Sequence, residues 1–305
     1  MAAATIVEVE GRELKLSNLD KVLYPRVGFT KGEVVDYYTK IAPVLLPHLK
    51  DRPLTLKRYP NGVNGEFFYE KQCPKFRPKW MRTIPVRSER LNKVIEFCCV
   101  EDLPGLIWVA NLADLELHSS LSVGEQLERP TAAAFDLDPG PPASIVECCE
   151  VALALKEMFD DLGLAAYPKT SGSKGMQVYL PLNSTHSYEE TKAFAHATAG
   201  LMEEKMPDLV VSEMKKELRK GKIFIDWSQN DFFKTTVCVY SLRAREAPTV
   251  STPLKWEEVS STADAGDPDI LRFTYDAALA RAEEHGDLFA DVLTRVQKLP
   301  TLSGK

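Results

Sequence analysis

The sequence predicts a mixed protein of the α/β or α+β class, in which strands and helices alternate along the chain. Two observations lead to this prediction. Short apolar runs with strand-like alternation are interspersed with segments of helical period, and no internal repeat or low-complexity segment interrupts them. With 305 residues, 44% of them hydrophobic, the chain can bury a substantial core, as one large domain or two smaller ones.

The clearest helix signal lies at residues 31–49, where apolar side chains recur with the period of a helix. Thr30 and Glu33 fit a T-x-x-E capping box at its start. Further helices are predicted at residues 143–162 and 188–206, with a pair at 275–296. Strands are predicted at residues 54–58, 132–138, 165–169, 176–182, 222–227 and 235–240. The segment SSTADAGDPD, residues 260–269, is predicted to be a surface loop.

Charge is distributed unevenly along the chain. The net charge is −6, but residues 1–100 carry 18 basic and 11 acidic residues, whereas residues 101–305 carry 20 and 33. In residues 75–93, seven basic residues and one acidic residue are interleaved with Phe76 and Trp80. This composition is typical of a groove that follows phosphates and stacks bases, although a solvated basic loop would share it.

The sequence disfavours a membrane protein and a zinc site. No basic region precedes an apolar one at the N-terminus and no apolar run could span a bilayer, so we expect a cytoplasmic protein. The six cysteines show no C-x-x-C spacing and no histidine at ligand distance, which argues against zinc. The adjacent pairs Cys98–Cys99 and Cys148–Cys149 are expected to be buried thiols, as in a reducing compartment.

The segment FDLDPG places two carboxylates one residue apart at the end of an apolar strand, which Pro139 and Gly140 terminate. Strand alternation puts Asp136 and Asp138 on one face, roughly 7 Å apart, where they repel each other unless a cation intervenes. Phosphatases, sugar transferases and nucleotidyl transferases use such pairs. Pro139 disfavours the phosphatase pattern, and a purely structural turn stays an alternative.

Two later segments favour nucleotidyl transfer. In TSGSKG, two glycines allow backbone N–H groups to converge beside hydroxyls and Lys174, as in a triphosphate cradle, although a plain Gly/Ser hairpin is the alternative. The strand KIFID ends on a third carboxylate, Asp226. Three strand-borne carboxylates suit two-metal chemistry, in which divalent ions roughly 4 Å apart activate a hydroxyl and stabilise the leaving pyrophosphate.

Nine segments, in order from residue 18 to residue 256, together resemble one known family. They are NLDKVLYP, FTKGE, LKRYPNG, FFYEKQ, LELH, FDLDPG, TSGSKG, IDWSQN and YSLRAR with PTVSTPLKW. The chain resembles the polymerase domain of bacterial DNA ligase D and its stand-alone relatives, in the archaeo-eukaryotic primase superfamily. The resemblance implies a primase-polymerase fold, whose central, largely antiparallel sheet carries the aspartates and is flanked by helices.

The resemblance also implies an organisation and an activity. One domain would cover residues 1–305, with a basic DNA-binding part at 1–100, a catalytic core at 101–259 and a C-terminal helical extension at 260–305. The activity would be that of a template-dependent DNA/RNA polymerase, which extends ends and fills short gaps during end joining or excision repair and prefers ribonucleotides. Its partners would be gapped, overhanging or broken DNA and NTP or dNTP, with a DNA ligase and Ku.

Site residues follow from the same resemblance. Two Mn²⁺ or Mg²⁺ ions would be held by Asp136, Asp138 and Asp226. The nucleotide would be bound by Lys57, His118, Ser171, Lys174, Gln229 and Arg243. Phe68 and Tyr69 would stack at the template base, and Lys21 and Lys31 would bind the 5′-phosphate beyond a gap. An anion near Lys31 would also offset the cost of a lysine in the first turn of a helix.

One departure from the family is visible, because the serine pair SS follows LELH where Pro-Trp or Val-Pro is frequent, so the local loop is expected to differ. Two other functions stay open. A primase would share the catalytic face without needing the 5′-phosphate pocket, and a non-catalytic DNA-end-binding module would not need the three aspartates.

Overall fold

The computed structural model describes residues 4–88 and 91–300 of the chain. Two compact units interleave along the sequence. One comprises Met1–Glu125, Thr235–Ser251 and Phe273–Asp287, and the other comprises Gln126–Lys234, Thr252–Arg272 and Leu288–Lys305. The predicted boundaries after residues 100 and 259 follow charge and family resemblance rather than packing, and they stay a prediction.

The described residues form strands and helices in alternation, which confirms the predicted fold class. The strands are β1 (Ala4–Val9), β2 (Arg12–Ser17), β3 (Val22–Tyr24), β4 (Phe29–Thr30), β5 (Leu54–Arg58), β6 (Phe68–Glu70), β7 (Thr83–Ser88), β8 (Lys93–Cys98), β9 (Asp114–Ser119), β10 (Ala132–Pro139), β11 (Tyr167–Thr170), β12 (Met176–Pro181), β13 (Val210–Val211), β14 (Ile223–Asp226), β15 (Thr236–Val237), β16 (Leu242–Ala244) and β17 (Pro248–Val250). The α-helices are α1 (Lys31–Leu49), α2 (Leu103–Asn111), α3 (Ile145–Asp161), α4 (Tyr188–Lys205), α5 (Trp256–Ala265), α6 (Tyr275–His285) and α7 (Asp291–Thr294).

A five-stranded sheet organises the second unit, with the strand order β11-β12-β10-β14-β13. All neighbouring strands are antiparallel except β13 and β14, so the predicted, largely antiparallel sheet is confirmed. Phe135 of β10 packs against Phe159 of α3 and Phe194 of α4, with ring centroids 5.1 and 6.4 Å away. Because side chains alternate along a strand, the helices cover one face of β10 and leave Asp136 and Asp138 on the other.

The first unit contains a six-stranded sheet that the sequence did not predict as a whole. Its order is β15-β9-β5-β8-β7, and β6 also pairs with β5. The predicted basic segment, residues 75–93, runs through β7, and its residues 89 and 90 lie outside the described residues. Phe76 is 68% exposed. The guanidinium of Arg12 packs over the ring of Trp80, and its Cζ atom lies 4.7 Å from the ring centroid.

Helix α1 begins and ends where the sequence predicts. The side chain of Thr30 accepts a hydrogen bond from the backbone N–H of Glu33, and the Glu33 carboxylate accepts one from the backbone N–H of Thr30 (2.7 Å). The predicted capping box is therefore confirmed. Among the described residues, no helix is both long and apolar enough to cross a membrane.

The prediction of a surface loop at residues 260–269 is wrong for its first part. Helix α5 extends to Ala265 and packs on α3, because Val259 and Thr262 provide a buried face. Gly266 ends the helix in the left-handed conformation, with φ of 65°, which glycine adopts without steric cost. The predicted helix pair at residues 275–296 is present as α6 and α7.

The expectation of buried thiols is correct for Cys99, Cys148 and Cys149, which are buried and free. It is wrong for Cys98, which forms a disulfide with Cys73. The backbone N–H of Cys73 donates to the carbonyl of Glu96 on β8 (2.6 Å), and this contact lays residue 73 beside the strand that ends at Cys98. The partner is 25 residues away, so local sequence gave no signal for the pair.

The turn between β11 and β12 depends on two glycines. Gly172 has a φ of 68°, a conformation that favours glycine. Gly175 packs so closely on β10 that a Cβ atom at this position would lie 2.0 Å from the carbonyl oxygen of Leu137. The turn is therefore held against the strand that carries Asp136 and Asp138.

Replacing Gly175 and Gly200 with alanine should have opposite effects on stability. Gly175→Ala should lower the free energy of unfolding by about 1–3 kcal/mol, because the added methyl group forces the turn away from β10. Gly200→Ala, inside α4 with no atom within 4 Å of the added Cβ, should raise it by roughly 0.5–1 kcal/mol through helix propensity. Urea unfolding of both variants measures the difference. A neutral Gly175→Ala would contradict the close packing of the turn.

Candidate active site

Three carboxylates lie together on the open face of the five-stranded sheet. Asp136 and Asp138 are on β10, and Asp226 is the last residue of β14. Asp136 faces Asp226 directly in the antiparallel register, and side chains paired in this way have Cβ atoms about 4.5–5.5 Å apart. The structure therefore brings together the three aspartates that the sequence singled out.

Asp136 belongs to a row of polar residues that crosses the sheet. Lys169 on β11, Gln177 on β12, Asp136 and Asp226 share one register line. Gln177 Nε2 donates to Asp136 Oδ1 (3.0 Å). Burial and the negative charges of Asp138 and Asp226 raise the pKa of Asp136 to about 7, although Gln177 and Lys169 act against this rise. Concentrated carboxylate oxygen is the ligand set that Mg²⁺ and Mn²⁺ prefer, so these residues fit divalent ions.

The carboxylate of Asp226 is fixed by the short helix that follows it. Its Oδ1 accepts from the backbone N–H of Ser228 (3.0 Å) and from the Ser228 hydroxyl. Its Oδ2 accepts from Nε2 of Gln229 (2.9 Å). Gln229, predicted to contact the nucleotide, therefore orients a carboxylate in this structure.

The TSGSKG segment is the turn of a hairpin between β11 and β12. Its backbone therefore matches the plain Gly/Ser hairpin that the sequence analysis gave as the alternative to a triphosphate cradle. Ser171 Oγ accepts from the N–H groups of Ser173 (3.2 Å) and Gly175 (3.3 Å). The converging N–H groups predicted for a cradle thus meet at the Ser171 hydroxyl. Lys174 is exposed at the tip of the turn.

A second group of predicted residues surrounds Glu116 of β9 in the first unit. Glu116 Oε2 lies 3.0 Å from Lys57 Nζ, 3.1 Å from His118 Nε2 and 3.3 Å from Arg243 Nε. Glu116 Oε1 accepts from the hydroxyl of Tyr59 (3.3 Å) and from the backbone N–H of Ala244 (3.1 Å). We refer to Lys57, Tyr59, Glu116, His118 and Arg243 as the Glu116 cluster.

Electrostatics within the Glu116 cluster favour a charged carboxylate. Burial alone would raise the pKa of Glu116, but the hydrogen bond from His118 and the charges of Arg243 and Lys57 hold it well below its usual range. Burial lowers the pKa of His118, and Glu116 opposes this effect. Burial also lowers the pKa of Lys57, again against the influence of Glu116.

Aromatic rings enclose the ammonium group of Lys57. Its Nζ lies 5.4, 4.7 and 5.5 Å from the ring centroids of Tyr59, Phe67 and Tyr69, within the range of cation–π attraction. Tyr69 also packs edge-on against His118, with ring centroids 5.7 Å apart. The Lys57 side chain is therefore held in one position from several sides.

Glu116 is a residue that the sequence prediction missed. It stands two positions before His118 in the LELH motif, and strand alternation puts both side chains on the same face. The LELH motif therefore indicated that Glu116 lies beside His118. Glu116 was still not predicted as a site residue, because a carboxylate is not expected among groups that bind phosphate.

Phe68 and Tyr69 lie on β6 at the edge of the six-stranded sheet. They are 43% and 57% exposed, so they do not belong to the core, where aromatic residues of this kind would otherwise be expected. The guanidinium of Arg58 packs on the ring of Phe68, 5.2 Å from its centroid. The arrangement presents aromatic faces beside a positive charge.

Lys21 and Lys31 are close enough to influence each other. Lys31 is 5% exposed and its Nζ donates to the carbonyl of Ser17 (2.6 Å), whereas Lys21 Nζ donates to Asn61 Oδ1 (3.1 Å). Burial, followed by the charges of Lys21 and Arg58, lowers the pKa of Lys31 to about 8. The charges of Lys21 and Arg58 act on Lys31, so the three form a positive region that an anion would stabilise.

The first backbone N–H groups of α1 are already bonded within the protein and do not offer donors to an anion. The N–H groups of Lys31 and Gly32 donate to the carbonyls of Lys21 and Leu19 (2.8 Å each), and that of Glu33 donates to Thr30 Oγ1 (3.3 Å). Any anion at this position would therefore be held by side chains.

A separate group of potential metal ligands lies in the first unit. Ligand atoms of Asp51, Cys99 and Glu101 come within 4.8 Å of one another. The guanidinium of Arg82 already pairs with both carboxylates, at 2.7 and 2.8 Å. Burial raises the pKa of the Cys99 thiol to about 12, which keeps it from acting as a thiolate ligand. We assign no metal to this group.

Comparison with known proteins agrees with the fold. Residues 30–289 match the family described as LigD, primase-polymerase domain. The structure superposes on the polymerase domain of Mycobacterium tuberculosis ligase D, solved in complex with DNA, with a TM-score of 0.85 and 38% identity. The match covers 93% of this chain and 99% of that domain.

Curated relatives are longer proteins. The multifunctional non-homologous end joining protein LigD of Mycolicibacterium smegmatis is 41% identical over 280 residues, which are 91% of this chain and 36% of that protein. The bifunctional protein LigD of Bacillus subtilis is 32% identical over 289 residues, 94% of this chain and 45% of that protein. The chain thus spans less than half the length of these relatives.

The family match and the structural superposition define a polymerase domain of the primase-polymerase class. The chain belongs to the LigD primase-polymerase domain family.

Lys31 should make stability depend on pH in the alkaline range. Its pKa is about 8 when folded and about 10.4 when unfolded. The cost of burying its charge is therefore fully present below pH 8 and is relieved as the pH rises to 10.5. Relative to Lys31→Met, the wild type should gain on the order of 1–3 kcal/mol across this interval. Urea unfolding at several pH values measures the gain, with Lys40→Met as the control for removing an exposed lysine from the same helix. A difference in the free energy of unfolding between the wild type and Lys31→Met that does not change with pH would contradict the burial of a charged Lys31.

Proposed function

We propose that this chain is a template-dependent DNA/RNA polymerase that extends ends and fills short gaps in DNA during repair. The observation that carries the proposal is the direct pairing of Asp136 with Asp226 beside Asp138 on the open face of a sheet. Membership of the LigD primase-polymerase domain family supports it, as does similarity to a polymerase domain solved in complex with DNA.

In this proposal, two Mn²⁺ or Mg²⁺ ions are held by Asp136, Asp138 and Asp226. Such ions activate the attacking 3′-hydroxyl and stabilise the charge of the leaving pyrophosphate. Gln177 and Gln229 orient the carboxylates of Asp136 and Asp226 through hydrogen bonds of 3.0 and 2.9 Å. The oxygen atoms are thereby held in position before any ligand arrives, which lowers the reorganisation required during the reaction.

The proposal assigns binding of the incoming nucleotide to six residues. They are Lys57, His118, Ser171, Lys174, Gln229 and Arg243. Lysine and arginine provide charge-assisted hydrogen bonds to phosphate oxygens. The Ser171 hydroxyl accepts from the backbone N–H groups of Ser173 and Gly175, which hold it in place in the same turn that carries Lys174.

DNA would be recognised by the first unit. Phe68 and Tyr69 present exposed rings, on which a template base could stack. Lys21 and Lys31 would bind a 5′-phosphate across a gap. Because the relatives are named as end-joining proteins, broken or gapped DNA is the proposed substrate, with a DNA ligase and Ku as proposed partners in the cytoplasm.

We also propose a preference for ribonucleotides, which rests on the family resemblance. Side-by-side addition of one ribonucleotide and the matching deoxyribonucleotide with Mn²⁺ tests it, and equal or reversed efficiencies would refute it.

A primase that starts chains de novo is the second candidate. It shares the aspartates but has no use for a 5′-phosphate pocket, so dependence on a downstream 5′-phosphate separates the two functions.

Substitution of the aspartates should abolish nucleotide addition and leave DNA binding nearly intact. Asp136→Ala, Asp138→Ala and Asp226→Ala each remove proposed metal ligands without removing a basic or aromatic group. Primer extension on a gapped duplex and a fluorescence-anisotropy titration of the same DNA measure the two properties. Asp160→Ala, at the exposed end of α3, is the control for loss of a carboxylate. Appreciable extension by the Asp136→Ala/Asp138→Ala double variant would sink the assignment.

Lys21→Ala/Lys31→Ala should weaken binding to a gap that ends in a 5′-phosphate and hardly affect the same gap with a 5′-hydroxyl. Each charge-assisted contact to phosphate contributes about 1–3 kcal/mol, so the loss should reach about tenfold or more per lysine at low salt. General attraction to the DNA backbone would weaken binding to both ends alike. Wild type and double variant are compared on both substrates at fixed salt, and an equal loss on the two gaps would remove end recognition from the proposed function.

A further inference from the structure

Glu116 is buried among the groups assigned to the nucleotide. It is 2% exposed, and five donors or cations surround its two carboxylate oxygens. Three of these groups, from Lys57, His118 and Arg243, belong to the proposed nucleotide site. They come from different parts of the chain, namely β5, β9 and β16, and Glu116 is a contact that they share.

A carboxylate is an unexpected neighbour for a triphosphate. Its negative charge repels the phosphates, so charge alone would favour a neutral residue at this position. Without Glu116, however, the ammonium of Lys57 and the guanidinium of Arg243 would repel each other, and burial would disfavour the charged form of Lys57. The carboxylate therefore keeps cationic groups together before the nucleotide binds.

Glu116 also selects the tautomer of His118. A carboxylate can only accept, so Nε2 of His118, 3.1 Å away, must carry the proton. The ring is held in place on its other side by the edge-on contact with Tyr69. The orientation of the imidazole is thus determined by two neighbours.

We propose that Glu116 is a positioning residue for nucleotide binding: it holds Lys57, His118 and Arg243 in the arrangement that receives the triphosphate. This inference rests on the proposed function, which assigns those residues to the nucleotide. Glu116 itself contacts no phosphate; it acts through the donors that it gathers.

The positioning role and a purely electrostatic role predict opposite changes in the KM for the nucleotide when the charge of Glu116 is removed. Glu116→Gln has nearly the same shape but removes the charge and replaces one acceptor oxygen by a donor, which leaves part of the cluster without an acceptor. If Glu116 positions the cluster, the KM for the nucleotide should rise about tenfold or more, with a smaller change in kcat. If its charge merely repels the triphosphate, the KM should fall.

The experiment measures KM and kcat for addition of CTP opposite a templating dG in gapped DNA with Mn²⁺. Glu116→Gln and Glu116→Asp are compared with the wild type, and Glu96→Gln is the matched control. Glu96 lies on β8 of the same sheet and accepts from Thr83 (2.8 Å), so its substitution also removes a hydrogen-bonded carboxylate. Its kinetic constants should stay close to those of the wild type.

Glu116→Asp keeps the charge but withdraws the oxygens by one methylene group. Positioning predicts a rise in KM for this variant too, whereas repulsion predicts none. It also carries the test if Glu116→Gln fails to fold, which thermal unfolding reveals. Nitrogen NMR of the imidazoles gives a readout besides activity, because the proton of His118 should stay on Nε2 in the wild type and lose this preference in Glu116→Gln.

The outcomes separate the two levels of inference. A wild type that shows no saturable dependence on CTP would overturn the proposed function and, with it, the role of Glu116. The positioning role alone would be overturned if the wild type saturates with CTP but neither variant has a raised KM. In that case Glu116→Gln would have an equal or lower KM and Glu116→Asp an unchanged KM. A raised KM in both variants, together with loss of the His118 tautomer preference, supports it.

Discussion

The register between β10 and β14 is the constraint on which the candidate active site depends. It sets Asp136 directly against Asp226, and Asp138 follows two residues later on the same face. Like charges at this separation destabilise a fold unless other groups compensate. Gln177 and Lys169 in the same register line, and the donors that surround Asp226, provide that compensation. The sheet therefore tolerates a concentration of negative charge that divalent ions would neutralise.

The Glu116 cluster applies the same principle with the signs reversed. Here cationic groups are concentrated, and one buried carboxylate holds them together. In both places, neighbouring groups stabilise the charges that are proposed to contact a ligand: Gln177 and Lys169 lie beside the aspartates, and Glu116 lies among the cationic groups. Such groups reduce the cost of keeping like charges together in the ligand-free protein, and they fix side-chain geometry before binding.

Much of the fold could be predicted from local sequence. The capping box at Thr30 located the start of α1, and the apolar run before Asp136 located β10, because caps and alternation act over a few residues. The strand β7 was missed, since it lies within the basic segment at residues 75–93. The helix α5 was missed because its polar surface resembles a loop, and only packing against α3 reveals its buried side.

The candidate site was predicted less evenly. The three aspartates could be found because each lies at or near the end of a recognisable strand, but the pairing of Asp136 with Asp226 depends on a register that joins residues 90 positions apart in sequence. The Cys73–Cys98 disulfide and the contacts of Lys57 and Arg243 with Glu116 join distant segments, and local patterns contain no information on such contacts. Their detection required the three-dimensional structure.

The most direct test of the central claim is the position of manganese in crystals of the protein grown with Mn²⁺ and a nucleoside triphosphate. Anomalous scattering at the manganese edge locates the ions independently of any assumed mechanism. The proposed function predicts two peaks roughly 4 Å apart, ligated by oxygen atoms of Asp136, Asp138 and Asp226. Manganese bound elsewhere, with none at these carboxylates although nucleotide is present, would contradict it.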